Sequence, residues 1–364
     1  MLRVRVALAA LALCVALTLG GDVPRMLAAV DTLPARLSDT EFWGLIQEFS
    51  EPDGYFRSDN LLSNEIFYPE VMADLVARAP RGGVYLGVGP EQNFNYIVRL
   101  RPRMAFITDI RRGNLHTQLM YKALFEISAD RAAFLSRLFS RGPIEGPAGG
   151  RPADLMAAVR GAPPLDEARY QANLRAIRRH LTETRGLPLL AEDLENLDWV
   201  YSNFHRFGPA ITYNSSSNGG GRGNQTTYAD LMIATDDEGV SQSYLASEAT
   251  FAFMKDLQQR NLVVPVVGNF AGARALRSVG QYIHARGAVV SAFYLSNVEN
   301  YLIQDGVWRT FCANVAALPL DARSTFIRSE QGSRYSTGRG RGGLVNSLGA
   351  IQDEIAQAGC SVTP

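Results

Sequence analysis

The stretch Val84-Tyr85-Leu86-Gly87-Val88-Gly89 constrains this chain more than any other. A short apolar run ends in two glycines, and a helical pattern follows from Pro90 to Leu100 with Phe94, Ile97 and Val98 on one side. A second apolar run, Met104 to Thr108, ends at Asp109. Leu115, Leu119, Met120, Ala123, Leu124 and Ile127 then recur at helical spacing. Strand, helix, strand, helix in this order implies a parallel sheet covered on both faces by helices. The 364 residues suffice for a sizeable core.

The alternation is interrupted and then resumes. Residues 22–80 read as a helical lead-in, with amphipathic starts at Thr40-Glu41-Phe42-Trp43 and Pro69-Glu70. Between them lies the polar loop Tyr55 to Glu65. The domain spans 81–330, and 140–195 reads as a helical insertion, with Tyr170, Leu174, Ile177 and Leu181 at helical intervals and Gly186 as the stop. Asn214 to Gln225 reads as a mobile loop. Asp230 to Thr235 is expected as a strand, Tyr244 to Leu257 as a helix, Leu262 to Val267 as a buried strand despite Pro265, and Ala271 to Arg286 as a helix. Ala288 to Leu295 is the next buried strand. Phe311 to Leu318 and Ser324 to Ile327 are expected to form an antiparallel pair at the end of the sheet, leaving 331–364 as a tail that holds Gly338 to Gly343.

The N-terminus carries its own signature. Arg3 and Arg5 precede an apolar run from Val6 to Leu19, and small residues follow, which is the pattern of a secretory signal peptide over 1–21. An uncleaved anchor is the alternative. Cys14 does not fit a lipoprotein site, because Leu13 stands where a small residue is needed. The expected location is therefore exported or periplasmic, or membrane-anchored. In an oxidising compartment Cys312 and Cys360 could pair; two buried thiols are the other reading. The formal net charge is zero, so nucleic acid is not an expected partner, whereas a small molecule is. Oligomeric state is not legible.

The glycine turn and the acid twenty-two residues after Gly87 form the best site signal. Glycines let the backbone turn sharply and approach a ligand, and a carboxylate at the end of the second strand can accept hydrogen bonds from ribose hydroxyls. In these residues the chain resembles the class I S-adenosylmethionine (SAM) methyltransferases. The resemblance implies a Rossmann-like fold with SAM as cofactor, Gly87 and Gly89 beneath its amino-acid part and Asp109 on its ribose. The chain departs from the pattern at Tyr85, where an acid is usual, and at Glu91, where the third glycine would stand. Val263 to Phe270 and Ala288 to Leu295 would correspond to the fourth and fifth strands, and the terminal pair to the sixth and seventh. More narrowly, Tyr55 to Glu65, Tyr228 to Met232 and Tyr294 to Glu299 resemble an uncharacterised bacterial family of methyltransferase-like proteins, over most of 40–330. A dinucleotide oxidoreductase fits less well, since Gln92 occupies its third glycine position.

Other candidates are weaker. Asn269, past the expected fourth strand, could hold a methyl acceptor or cap the following helix. Asp236, with Asp237 and Glu238, could be an acid cluster or a solvated turn. Asn64 and Glu65 could fold over a cofactor as a lid or cap a helix. His205 is a remote candidate for a general base. The four histidines show no ligand spacing, so no metal is expected, and no Gly-x-Ser-x-Gly elbow is present. Two functions follow: a SAM-binding methyltransferase-like protein of unknown acceptor, or an exported non-catalytic binding protein that keeps the same crevice for another ligand or partner.

Overall fold

The computed structural model describes residues 32–144, 150–163, 166–215, 225–331 and 344–360. The signal or anchor at 1–21, most of the loop at 214–225 and the Gly338 to Gly343 run lie outside these residues. Among the described residues no helix is long and apolar enough to cross a membrane.

A lead-in helix α1 (Asp39–Phe49) begins at a capping box, in which Ser38 and Glu41 satisfy each other's backbone amides. After a stretch without regular structure and a 3-10 turn at Tyr68–Val71 comes α2 (Met72–Arg78). The sheet then starts with β1 (Val84–Gly87), α3 (Gln92–Leu100), β2 (Met104–Asp109) and α4 (Arg112–Ile127). Five more helices follow: α5 (Arg131–Leu138), α6 (Pro152–Gly161), α7 (Glu167–Arg179), α8 (Ala191–Phe207) and α9 (Tyr228–Ile233). The remaining elements are α10 (Glu248–Gln259), β3 (Val263–Val267), α11 (Ala275–His284), β4 (Val290–Ser296), α12 (Val298–Gln304), α13 (Trp308–Ala316), β5 (Thr325–Gln331), β6 (Leu344–Ala350) and α14 (Ile351–Gln357).

The six strands form one sheet in the order β3-β2-β1-β4-β5-β6, parallel except for β6. The strands β1, β2 and β3 are buried at every residue, so both faces of the sheet are covered. Phe49, Phe106 and Tyr282 join α1, β2 and α11 with ring centroids 5.7–6.0 Å apart. Phe125, Phe134, Tyr244 and Phe251 form a second aromatic cluster around α4, α5 and α10. The helical insertion is fastened to α4 by a buried ion network. Lys122 donates to Glu126, the Gln258 carbonyl and Asn261, while Glu126 also accepts from His180 and Arg185.

Pro265 lies in the edge strand β3, opposite Ile107. Its missing N–H is on the same side as that of Val267, which points away from β2 and donates to Ser50 Oγ at 3.0 Å. No ladder bond is lost, and residues 50–51 cover the edge.

Four expectations are corrected here. Asp230 to Thr235 is not a strand: Thr227 and Asp230 make a capping box that starts α9. Phe311 to Leu318 falls largely in α13, whose buried face of Phe311, Cys312 and Val315 has helical spacing. The antiparallel pair exists, but its strands are β5 and β6, and β6 comes from the segment expected to be tail. The strand Val263–Val267 stands beside β2 in the third position, and Val290–Ser296 beside β1 in the fourth, each one place earlier than expected.

Cys312 of α13 and Cys360 beyond α14 form a disulfide, with Cα atoms 5.2 Å apart and a sequence separation of 48. Closing a loop of this length restricts the unfolded chain. Replacing both cysteines by serine should therefore lower unfolding free energy by about 2–4 kcal/mol, read as a shift of the urea midpoint. An unchanged midpoint would mean that the pairing adds nothing to stability.

Candidate functional site

A cavity of about 450 Å³ opens at the carboxyl ends of β1, β2, β3 and β4. Its floor is the turn after β1 and its cover is the loop from Tyr55 to Glu65, with α12 at the side. Open parallel sheets place ligands in this crevice, and the volume lies in the range of about 300–1,000 Å³ usual for small-molecule sites.

The floor is held from below. Asn93 Nδ2 donates to the carbonyls of Val88, Gly89 and Pro90 at 2.7–3.2 Å, and its Oδ1 accepts from Tyr85 Oη at 3.0 Å. Gln118 Nε2 adds a fourth bond, to the Gly89 carbonyl. A Cβ on Gly87 would stand 1.9 Å from Asn93 Oδ1, so glycine is required there to admit Asn93. Gly87 therefore sits under the turn and does not line the cavity. Gly89 does line it, with φ of +75°, a conformation that disfavours any side chain. A Cβ at Gly89 would lie 4.0 Å from Asp109 Oδ2.

Asp109 ends β2 beside Gly89, nine-tenths or more buried. Its Oδ1 accepts from the Arg111 amide at 2.9 Å. Burial pushes its carboxyl above the usual aspartate range, and the neighbouring Arg111 opposes the shift. Arg111 in turn reaches the cover, where it pairs with the Asp59 carboxylate at 3.5 Å.

The cover is also fixed by two acids. Glu91 is fully buried and accepts from the Ser63 amide at 3.2 Å, turned away from the cavity. Glu65 lines the cavity and is 1% exposed. Its Oε1 accepts from Tyr294 Oη at 2.6 Å and Ser296 Oγ at 2.5 Å, and its Oε2 from Asn346 Nδ2 at 2.8 Å. Burial raises its affinity for a proton, and these three donors oppose that. Asn64, next to it, is exposed at the rim.

The other expected residues separate. Asn269 reaches the cavity, but its Oδ1 accepts from the Ala271 amide at 2.8 Å, an Asx turn ahead of α11. The anion position at the start of α11 is filled by Glu51, which accepts from the Asn269, Arg274 and Ala275 amides. Asp236 lies away from the cavity and closes its own turn on the Glu238 and Val240 amides. His205 is on α8, also away from the cavity, stacked on Tyr170 with centroids 4.3 Å apart. Among the described residues no group of His, Cys, Asp and Glu could hold a metal ion. Sequence reasoning missed Tyr294 and Ser296 of β4, Asn297 just after it and the aromatic rim of Phe56, Tyr213 and Tyr301, and also Asn346 of β6, which donates to Glu65. A signal was present for Ser296 and Asn297, which follow the apolar run Ala288 to Leu295 as Gly89 follows that of β1, whereas Tyr294 lies within the run.

Residues 61–144 and 212–351 match the family described as Domain of unknown function (DUF7790). The chain belongs to this family. The two matched DUF7790 segments carry all six strands, the glycine turn, Asp109, Glu65 and Asn346, and the gap between them spans α6, α7 and α8. No curated protein matches the chain.

Burial raises the Glu91 carboxyl from its ordinary 4.5 to about 8. The folded state then binds this proton more tightly than the unfolded state. Stability from this group is full below pH 4.5, falls as pH rises toward about 8, and is flat above that. Glu91→Gln should flatten that slope and be the more stable form at pH 9, as read from urea midpoints across the range.

Proposed function

We propose that this DUF7790 protein is a Rossmann-like, class I methyltransferase-like domain that binds SAM in the cavity above β1 and β2. The observation carrying the reading is that Gly89 and Asp109 meet in one cavity beside the point where strand order reverses, with β2 on one side of β1 and β4 on the other. Asp109 offers a buried carboxylate to ribose hydroxyls, and the glycine turn lets the ligand approach the backbone. Both departures from the methyltransferase pattern serve the scaffold: Tyr85 steadies Asn93, and Glu91 ties down the cover. At the end of β4, now the fourth strand, stand Ser296 and Asn297, where the resemblance looks for an acceptor-holding residue. Methyl transfer asks little of the protein beyond alignment of donor and acceptor.

A second reading is an exported non-catalytic binding protein, with the crevice kept for another ligand. It is favoured by the Cys312–Cys360 disulfide, which belongs in an oxidising compartment, together with the signal-like residues 1–21. SAM is made in the cytoplasm, so the side of the membrane on which the domain resides separates the two readings. A periplasm-only reporter fused to the C-terminus reads that side directly.

Calorimetric titration of SAM tests the first reading. Wild type should bind, and Asp109→Ala should weaken binding about tenfold or more, the worth of hydrogen bonds to a charged group. Folded wild type that takes up no SAM would end the assignment.

A further inference from the structure

We propose that Glu65 holds a cationic nitrogen of the ligand. The inference rests on the reading of the cavity as the ligand site. Buried carboxylates are ordinarily balanced by a cation, and three in this protein are. Asp109 faces Arg111, Asp193 pairs with Arg112 at 2.7 Å, and Glu126 with Lys122 at 2.7 Å. Glu91 has no such partner, but it lies outside the cavity and no ligand reaches it. Glu65 borders the cavity, and its hydrogen-bonding partners among the described residues are neutral: Tyr294, Ser296, Asn346 and Ser329. On the same network the buried Asn346 Oδ1 has no partner.

The chain accepts backbone strain to build this network. Ser296 is a non-glycine residue at φ +52°, at an irregularity in the pairing of β4 with β5, and from there its hydroxyl reaches Glu65. Phe270, Tyr294 and Tyr301 supply aromatic walls of the kind that suits a cation. The basic residue on the cavity, Arg57, is engaged with the Tyr301 hydroxyl at 3.2 Å. Among the described residues no cation faces Glu65, and the cavity beside it leaves room for one brought by the ligand.

An ammonium could come from the amino-acid part of the nucleoside ligand or from an amine that accepts the methyl group. Two probe pairs separate these sources on the full chain. S-adenosylhomocysteine is compared with 5′-methylthioadenosine, which lacks the amino-acid part. Tyramine is compared with 4-ethylphenol, its neutral counterpart, with S-adenosylhomocysteine present.

A Glu65 role requires wild type to favour the charged member of at least one pair by about tenfold. Glu65→Gln, melting as wild type does, should remove that preference and leave the neutral member unchanged. Loss in the first pair assigns the ammonium to the nucleoside ligand; loss in the second assigns it to the acceptor. Equal binding of charged and neutral probes by wild type overturns the proposal whether or not the variant folds. So does a preference that survives Glu65→Gln. Wild type that binds tyramine through Glu65 but no adenosine probe would sink the SAM reading and keep this one. Binding of none of the four sinks both.

Discussion

Asn93 fills the volume that a side chain at position 87 would need, and the floor of the cavity takes its shape from that exchange. One amide gathers three consecutive carbonyls of the turn, and Tyr85 and Gln118 hold the assembly from two other directions. Buried carbonyls left without donors would each carry a desolvation penalty of about 1–3 kcal/mol, so the clamp makes the tight turn stable where no solvent can help. The turn then presents Gly89, at positive φ, beside Asp109. Position 87 is glycine for a neighbour's sake and position 89 for its own backbone. The two glycines of one short motif answer different physical demands.

The acids beneath the cover follow a similar division. Glu91 and Glu65 both leave the loop and lead-in region fastened to the sheet, yet in opposite ways. Glu91 turns inward and accepts a backbone amide of the cover, and burial makes its neutral form easy to populate. Glu65 stays at the wall and draws on donors from β4 and β6. The cover from Tyr55 to Glu65 is thus tied at Asp59 through Arg111, at Ser63 through Glu91, and at Glu65 itself. A segment with no regular hydrogen-bonded structure of its own can hold a defined shape over a cavity when its ends and middle are pinned to the sheet in this way.

The order of the first elements was legible because periodicity and the glycine turn agree with each other: β1, α3, β2 and α4 follow the apolar pattern from Val84 to Ile127. The errors share one cause. Short apolar runs such as Asp230 to Thr235 and Phe311 to Leu318 suit a helix or a strand equally, and only capping or tertiary contact decides. Thr227 with Asp230 was a readable cap; α13 has no side-chain cap, and its helical state is set by packing. Of the candidate residues named from the sequence, Gly89, Asp109, Asn64, Glu65 and Asn269 line the cavity. Asn346 could not be found, because it belongs to a strand more than 250 residues away from Glu65 that follows a glycine-rich run and has mostly half-buried residues. Spacing in sequence carries no information about such a pairing. His205 and Asp236 drew notice because their settings are polar, and polar settings are equally those of a stacked ring and a closed turn.

The edge strand β6 gives the C-terminal region a part in the site that its composition hides. Asn346 spans Glu65, Tyr96 and the Arg328 carbonyl, so it links the cover, α3 and β5 at one point. What keeps β6 in register is seven residue pairs with β5, the ion pair of Arg328 with Glu354 at 2.6 Å, and the disulfide beyond α14. A strand at the edge of a sheet has hydrogen bonds on one side only, and added restraints there act on an element that would otherwise be among the first to open. The cross-link sits on α13, which follows the helix lining the cavity. The same covalent bond therefore ties the strand that completes the Glu65 network to the helices beside the cavity, and stability of the C-terminal segment and the shape of the cavity wall are one property of this fold.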